Sequence, residues 1–344
     1  MAFKVAVLGL GYFSKFHLDS WTKNPECEVV AATDLSPGRC AWARSIYDIP
    51  VFDNILSVLQ SEPDIVDIIA PPEAHKQLVR AVLKTGRTVI CQKPFCTSEQ
   101  DAREVVEICK KVGMDLIIHE NFRFQPWHRA IKSTLLDGVL GEVYQAQFLL
   151  RPGDGRGRGA YLDRQPSFQK MERFLMQETG VHFVDLFRYF FGEIESVFAE
   201  TRRLNSVIAG EDAATMIFQH ASGVRSIFDG NRLVDHETDN SRRTMGEMQI
   251  EGTAGTIRLL GSGEVNLRLF GSNKWTRIEL PFTPDDTSFG GGCVAALNRH
   301  VVSALKGNQA LENKAEDYLH IIEVTDAAYI SAQEGRKIST STGG

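Results

Sequence analysis

The chain opens on Lys4-Val5-Ala6-Val7-Leu8-Gly9-Leu10-Gly11-Tyr12-Phe13-Ser14, and this stretch restricts the fold more than any other. Val5 to Leu8 form a continuous apolar run, the pattern of a central parallel strand buried on both faces. The run ends in Gly9 and Gly11, and residues 14–24 then carry a helical pattern. Strand, glycine turn and helix in that order are the context a dinucleotide-binding fingerprint requires. Gly9 allows the tight turn. Gly11 lets the backbone approach a pyrophosphate, whose charge would rest on the amides that Tyr12, Phe13 and Ser14 bring to the helix N-terminus.

Ser14 stands where the fingerprint has its third glycine. It is small enough for close helix–strand packing, and its hydroxyl can cap the helix or bond a phosphate. Alone, the turn also fits an ordinary strand-to-helix connection. The second half of the fingerprint is Val29-Val30-Ala31-Ala32-Thr33-Asp34, a second apolar strand ending in an acid about twenty residues beyond the turn. Asp34 there would bind the ribose hydroxyls of NAD and repel a 2′-phosphate; it also suits a helix N-cap. Ser36 and Arg39 nearby leave NADP open as the cofactor.

Two domains are the natural division of 344 residues, here 1–121 and 122–344. A formal net charge of −6 argues against a nucleic-acid or anionic-membrane surface. No apolar run approaches the roughly 20 residues a membrane span needs. The first strand begins almost at the N-terminus, which leaves no room for a signal peptide. The six cysteines form no C-x-x-C pair and no zinc-type spacing. They read as reduced structural thiols of a cytoplasmic protein, and no metal site is expected.

Through the first domain, apolar strands alternate with helical patterns. Helices are expected at 37–47, 55–61, 75–85 and 98–112, with strands at 51–52, 64–70, 88–91 and 115–119. That alternation predicts a doubly wound parallel sheet of Rossmann type, whose strand ends converge on one crevice. Those ends carry Gly9, Asp34, Ala70-Pro71, Lys93 and His119-Glu120-Asn121. Lys93 precedes Pro94, which favours an extended backbone there. A lysine so placed can lower its pKa by desolvation, or hold a substrate oxygen and the charge that develops on it. By position alone it also reads as a solvated lysine beside a loop proline.

In the second domain a helix is expected at 125–136 and a strand at 142–150. The glycine- and arginine-rich segment 151–169 follows, and a loop this long is usually functional or mobile. Its Arg151, Tyr161, Arg164 and Gln165 are donors suited to a polyhydroxylated or anionic ligand; a surface insertion or an arm to a neighbouring subunit is the other reading. Glu178, His182 and Asp185 open a helix running through Tyr189, on which Glu178 and His182 would share a face. Imidazole titrates near neutrality, which suits His182 to general base work. In isolation it also fits a satisfied structural histidine. Seven further alternating stretches between 197 and 280 predict a large, mainly antiparallel open sheet with helices on one face. The other face would serve a homodimer or homotetramer. Terminal helices are expected at 293–305 and 316–334.

Several of these motifs together resemble the Gfo/Idh/MocA oxidoreductases. They are Gly9-Leu10-Gly11, Ala70-Pro71-Pro72 with His75, Lys93-Pro94, and Asn121-Phe122-Arg123-Phe124. The resemblance implies a Rossmann domain followed by an α+β domain whose open sheet covers the active site. The family's usual Glu-Lys-Pro is Gln92-Lys93-Pro94 here, and its Asp-x-x-x-His is Glu178-x-x-x-His182. Lys93, Glu178 and His182 would then be the catalytic trio. Cofactor contacts would come from Gly9, Gly11, Tyr12, Phe13, Ser14, Asp34, Ala70, Pro71, His75, Gln92, Lys93 and Asn121. Substrate contacts would come from Lys93, Arg123, Arg151, Tyr161, Arg164, Gln165, Glu178 and His182. The implied activity is NAD-dependent oxidation of a sugar or polyol. The segment from Arg151 to His182 looks most like the aldose-oxidising D-apiose dehydrogenase branch, whose product would be a lactone. An inositol, other polyol or ketose dehydrogenase, a non-redox NAD-binding sensor and an NAD-dependent glycosidase are the alternatives.

Overall fold

The computed structural model describes residues 2–340, and packing divides the chain into two compact units. The first takes in the chain to Asn121 and returns for Val294–Leu319. The second holds Phe122–Cys293 and the chain from His320 onward.

The first unit runs β1 (Phe3–Leu8), α1 (Ser14–Lys23), β2 (Cys27–Thr33), α2 (Pro37–Tyr47), α3 (Ile55–Gln60) and β3 (Ile65–Ile68). It continues with α4 (Pro72–Leu83), β4 (Thr88–Gln92), α5 (Glu99–Val112) and β5 (Leu116–His119). The strands form one parallel sheet in the order β2-β1-β3-β4-β5. Val5, Ala6, Val7, Ile65, Val66, Val89 and Ile90 are fully buried in it, as continuous apolar runs in a doubly covered sheet should be. Ser36 and Ser98 accept the amides of Arg39 and Asp101 and so cap α2 and α5. The strand expected at 51–52 is only a single bridge, Val51 to Ala32. Asn54 already caps α3 two residues on, which leaves a strand no length.

The second unit begins with α6 (Pro126–Leu136), β6 (Val143–Leu150) and α7 (Val181–Phe191). The strands β7 (Ile194–Arg202), β8 (Ala213–His220), β9 (Arg225–Asn231), β10 (Gly246–Gly252), β11 (Gly255–Leu259), β12 (Val265–Leu269) and β13 (Thr276–Ile278) follow. The chain closes with α8 (Cys293–Leu305), α9 (Ala315–Glu334) and β14 (Ile338–Ser339). Nine strands make a mixed sheet in the order β13-β12-β11-β10-β6-β9-β8-β7-β14. Among the described residues of this sheet, only β6 and β9 pair in parallel. Phe148, Met216, Phe218, Phe228 and Ile250 point to one face and are fully buried. Helix α7 packs there, with Phe183 between Phe148 and Phe228 at 4.1 and 5.0 Å between ring centroids. A buried phenylalanine contributes about 1.5–3 kcal/mol, so this contact fixes the rotation of α7 about its axis.

The expected second domain, 122–344, is thus interrupted by a segment that packs with the parallel sheet. Asn298 bonds His119 at 3.2 Å and Ser20 at 2.9 Å, while the Asn313 amide donates to the Glu120 carbonyl at 2.6 Å. These contacts join residues far apart in sequence, and no local pattern announces them.

Candidate active site

At the end of β1 the backbone shapes the surface. Gly9 has φ +100°, and a Cβ there would lie 2.7 Å from the Ala70 nitrogen and 2.8 Å from the Ile69 carbonyl carbon. No side chain fits between these strand ends. Beside Gly11 the nearest atom to such a Cβ is Arg39 Nη1, at 3.8 Å. The space over this turn is a cradle that a side chain would fill. Ser14 is fully buried and its hydroxyl donates to the Gly11 carbonyl at 2.6 Å. Phe13, not Ser14, is the N-cap of α1. The serine hydroxyl therefore closes the turn and neither caps the helix nor faces a phosphate.

Asp34 stands at the end of β2 and ties that strand to the turn. Its carboxylate accepts the Leu10 and Ser36 amides, each at 2.7 Å, and lies 3.7 Å from the Arg39 guanidinium. Ser36 is taken up as the cap of α2. Tyr12 is exposed at the mouth of the turn, with Phe13 half-buried beside it. At the end of β5, Asn121 is buried and its Oδ1 has no hydrogen-bond partner among the described residues, an acceptor placed for a bound polar group. A backbone cradle at a helix N-terminus, a carboxylate at the second strand end and an unsatisfied amide oxygen fit a dinucleotide.

His75, expected to touch the cofactor, is fully buried. Its Nε2 lies 2.7 Å from the Ala70 carbonyl, and its Nδ1 lies 3.1 and 3.0 Å from the carbonyls of Pro94 and Phe95. It braces the loops that follow β3 and β4 from below, and burial holds its pKa under the ordinary imidazole value. Lys93 leaves β4 half-buried, through a cis peptide to Pro94. Gln92 is buried too, with its amide between His17 and the Lys93 backbone, so it supports the lysine instead of meeting a cofactor. Ala70 and Pro71 remain at the surface of the β3 end.

In the second unit, the helix expected to carry Glu178 and His182 as one α-helix has two conformations. Leu175–Gly180 form a wide π-helical turn, and α7 proper starts at Val181. Such turns recur at functional sites. Their orphan amides need partners, and Glu211 supplies them by accepting from Phe174 and Met176 at 3.2 and 3.0 Å. The Tyr329 hydroxyl donates to the same carboxylate and accepts the Gln177 amide at 3.1 Å. Glu178 accepts the Thr179 hydroxyl at 2.6 Å, with Arg232 Nη1 at 3.5 Å.

His182 is 5% exposed and lies flat on Phe122, with centroids 3.9 Å apart and planes at 3°. Arg123 makes that stack possible. Its guanidinium forks onto the buried Asp185 carboxylate, Nε to Oδ2 at 2.9 Å and Nη2 to Oδ1, and it lies over the Tyr189 ring. The fork pins the Phe122 turn onto α7. Arg123, expected to contact substrate, is instead the clamp that orients the histidine's platform.

The glycine- and arginine-rich segment is likewise folded onto itself. Asp154 receives Arg232 through Nε at 3.1 Å and Nη2 at 2.8 Å, and Arg164 as well. Burial alone would raise the Asp154 carboxyl, but Arg232 and Arg164 beside it hold it below the usual carboxylate range. Arg232 also donates to Thr179 at 2.8 Å, which links this segment to the turn carrying Glu178. Tyr161 is 3% exposed and shares a small core with Phe168, Phe174 and Ile208. Arg151 bonds the carbonyls of Leu150 and Asp229 and pairs with the Asp229 carboxylate. Tyr161 and Arg164 therefore belong to the cluster around Arg232, which reaches Glu178, while Arg151 ties the end of β6 to β9. Gln165 stays half-buried, its amide N–H bonded to the Tyr161 carbonyl at 2.8 Å.

Arg232, Asp154, Glu211 and Phe122 are the residues that local reasoning passes over as functional. Arg232 merely follows a strand, and its partners lie 53 and 78 positions away. Among the described residues no helix is long and apolar enough to cross a membrane. All six cysteines are free thiols.

Comparison with known proteins identifies the family. Residues 3–119 match a family described as an oxidoreductase family with an NAD-binding Rossmann fold. Residues 128–258 match the GFO/IDH/MocA C-terminal domain. A D-apiose dehydrogenase of Paraburkholderia graminis is 31% identical over 98% of this chain and 89% of its own. A D-apiose dehydrogenase of Rhizobium rhizogenes is 30% identical over 97% and 96%. Among solved structures, an oxidoreductase from Agrobacterium radiobacter in complex with NAD+, L-tartaric acid and magnesium is similar, with TM-score 0.88 and 28% identity over 98% of both chains. From sequence motifs and fold alike, the chain belongs to the Gfo/Idh/MocA family of NAD-binding oxidoreductases.

Proposed function

We propose that this chain oxidises an aldose, with D-apiose as the first candidate, at its anomeric carbon to a lactone. The observation that carries the reading is that one unit holds the glycine cradle and Lys93 while the other holds Glu178 and His182 on a braced turn and an aromatic platform. The likeness to two D-apiose dehydrogenases over nearly the whole chain supports the choice of sugar.

NAD, when bound, supplies the hydride acceptor, and the protein supplies binding and orientation. Gly9, Gly11, Asp34 and Asn121 hold the dinucleotide in this reading. The Asp34 carboxylate accepts ribose hydroxyls and disfavours a 2′-phosphate, which selects NAD over NADP. His182 takes the proton of the hydroxyl being oxidised, the Lys93 ammonium holds the same oxygen, and Glu178 binds a neighbouring sugar hydroxyl. Carbon gives up a hydride, oxygen gives up a proton, and the products are lactone and NADH.

The free thiols suit a reducing cytoplasmic setting. The outward face of the nine-stranded sheet suits a homo-oligomer. There Phe198 pairs with Ile217, and Ile217 with Ile227, as an apolar row across three strands.

The test is NADH formation, followed by absorbance, with purified protein against aldoses and inositols, each with NAD and with NADP. A response to apiose with NAD is the expected result. Activity on an inositol alone would replace the substrate. Nucleotide binding with no NADH from any sugar would overturn the dehydrogenase reading in favour of a sensor or an internally redox-neutral glycosidase.

A further inference from the structure

Below the end of β4 lies a chain of buried polar side chains that the proposed reaction does not touch. Asp67 sits in the middle of β3 and is fully buried. Its Oδ2 accepts from His17 Nδ1 and from Trp21 Nε1, both at 2.7 Å. His17, on α1, is also fully buried, and its Nε2 lies 3.1 Å from Gln92 Nε2. Gln92 Oε1 accepts the backbone N–H of Lys93 at 2.8 Å. A carboxylate in the centre of an otherwise apolar strand, Ile65-Val66-Asp67-Ile68, is a costly placement for a sheet that needs only to pack.

The direction of every bond follows from the two ends. A backbone N–H can only donate, so Gln92 must turn its oxygen to Lys93 and its NH2 to His17. His17 Nε2 must then accept, which puts the ring proton on Nδ1, facing the Asp67 carboxylate. Reversing the Gln92 amide would set donor against donor at Lys93 and acceptor against acceptor at His17. Only one arrangement satisfies all three links.

We propose that Asp67, His17 and Gln92 are positioning residues, a buried relay that fixes the backbone of Lys93 and so aims its side chain. This rests on the reading of Lys93 as a catalytic residue. The titratable groups that face His17 are Asp67 on β3 and His119 on β5, whose ring lies 4.1 Å away. Burial, with His17 beside it, pushes the His119 pKa down to about 3, and its Nε2 is bonded to Asn298. His119 therefore packs against His17 as a neutral ring. Cys91, on β4, is a fully buried thiol whose pKa burial raises.

Two variants and one spectroscopic measurement test the relay on the full-length chain. Gln92→Met removes both amide links. It should lower kcat for the sugar at least about tenfold while NAD affinity stays within about twofold, because misaiming a reacting group slows turnover without touching the cradle. Gln92→Glu restores the acceptor for Lys93 but faces the His17 lone pair with a carboxylate. Its kcat should therefore recover in part, to at least about threefold above that of Gln92→Met, a rescue that lost packing would not produce because both variants keep the side-chain length. A kcat within about twofold of wild type for Gln92→Met, or no recovery of kcat in Gln92→Glu over Gln92→Met, would overturn the proposal.

The third arm is NMR of 15N-histidine-labelled wild type. His17, assigned by comparison with His17→Phe, should carry its proton on Nδ1 with Nε2 bare, and protonated Nε2 at neutral pH would overturn the relay. This arm needs no substrate. It remains decisive if the Gln92 variants fold poorly or if no sugar is oxidised, the outcome that would instead sink the dehydrogenase reading.

Discussion

Around Gly9 in the first unit, shape comes from backbone. A turn without side chains, a helix N-terminus and one strand-end carboxylate form the cradle. Around His182 in the second unit, shape comes from side chains that meet across long stretches of sequence. Asp154 meets Arg232, Arg123 meets Asp185, Glu211 caps the π-helical turn, and Phe122 lies under the imidazole. A cofactor of fixed structure can be held by a fixed backbone motif. The region that carries Glu178 and His182 is instead held by charged clamps, which can be exchanged without altering the fold.

If this contrast is sound, changes in each region should separate stability from cofactor binding. The largest effect is expected from Arg232→Met, which leaves Asp154 buried with only Arg164 beside it. Removing one partner of a buried pair of this kind costs about 3 kcal/mol, or a Tm lower by roughly 10 °C. NAD affinity should stay unchanged in calorimetric titration, and a loss of NAD binding that matches the loss of activity would erase the distinction.

Gly9→Ala comes next and should do the converse. The new Cβ meets the Ala70 nitrogen at 2.7 Å from a backbone at φ +100°. The expected destabilisation is about 2 kcal/mol, with NAD binding weakened at least about tenfold. An alanine variant that binds NAD normally would show that the close approach is not needed. The smallest effect is expected from Asp34→Asn, which keeps an acceptor for only one of the Leu10 and Ser36 amides and loses the charge. The preference for NAD over NADP should fall about tenfold, on the order of 1.4 kcal/mol, with Tm lowered only by the loss of that one hydrogen bond. An unchanged ratio would place selectivity elsewhere, with Arg39 as the next residue to vary.

The same contrast explains what could be read from the sequence. The parallel sheet, its strand ends and the cradle are legible because Val5 to Leu8, Gly9 and Asp34 announce them within a few residues of one another. The open sheet is legible from alternation along each strand. The return of Val294–Leu319 to the first unit is not, because an amphipathic helix does not say which sheet it covers. The internal bonding of the arginine-rich segment is not legible for the same reason. Its Arg164 has the right chemistry for a sugar but pairs with Asp154, which also collects Arg232 from beyond β9. His75 is a case of a correct motif with a different physical role, since three carbonyls enclose its ring.

The central claim is that the cradle holds NAD while His182 moves the proton, and His182→Asn tests it most directly. An asparagine keeps much of the volume over Phe122 but cannot take a proton at neutral pH. Turnover on the responsive sugar should fall at least about a hundredfold, while NADH affinity, followed by its fluorescence, stays within about twofold of wild type. Near-normal turnover with intact NADH binding would contradict the assignment of His182 as the base.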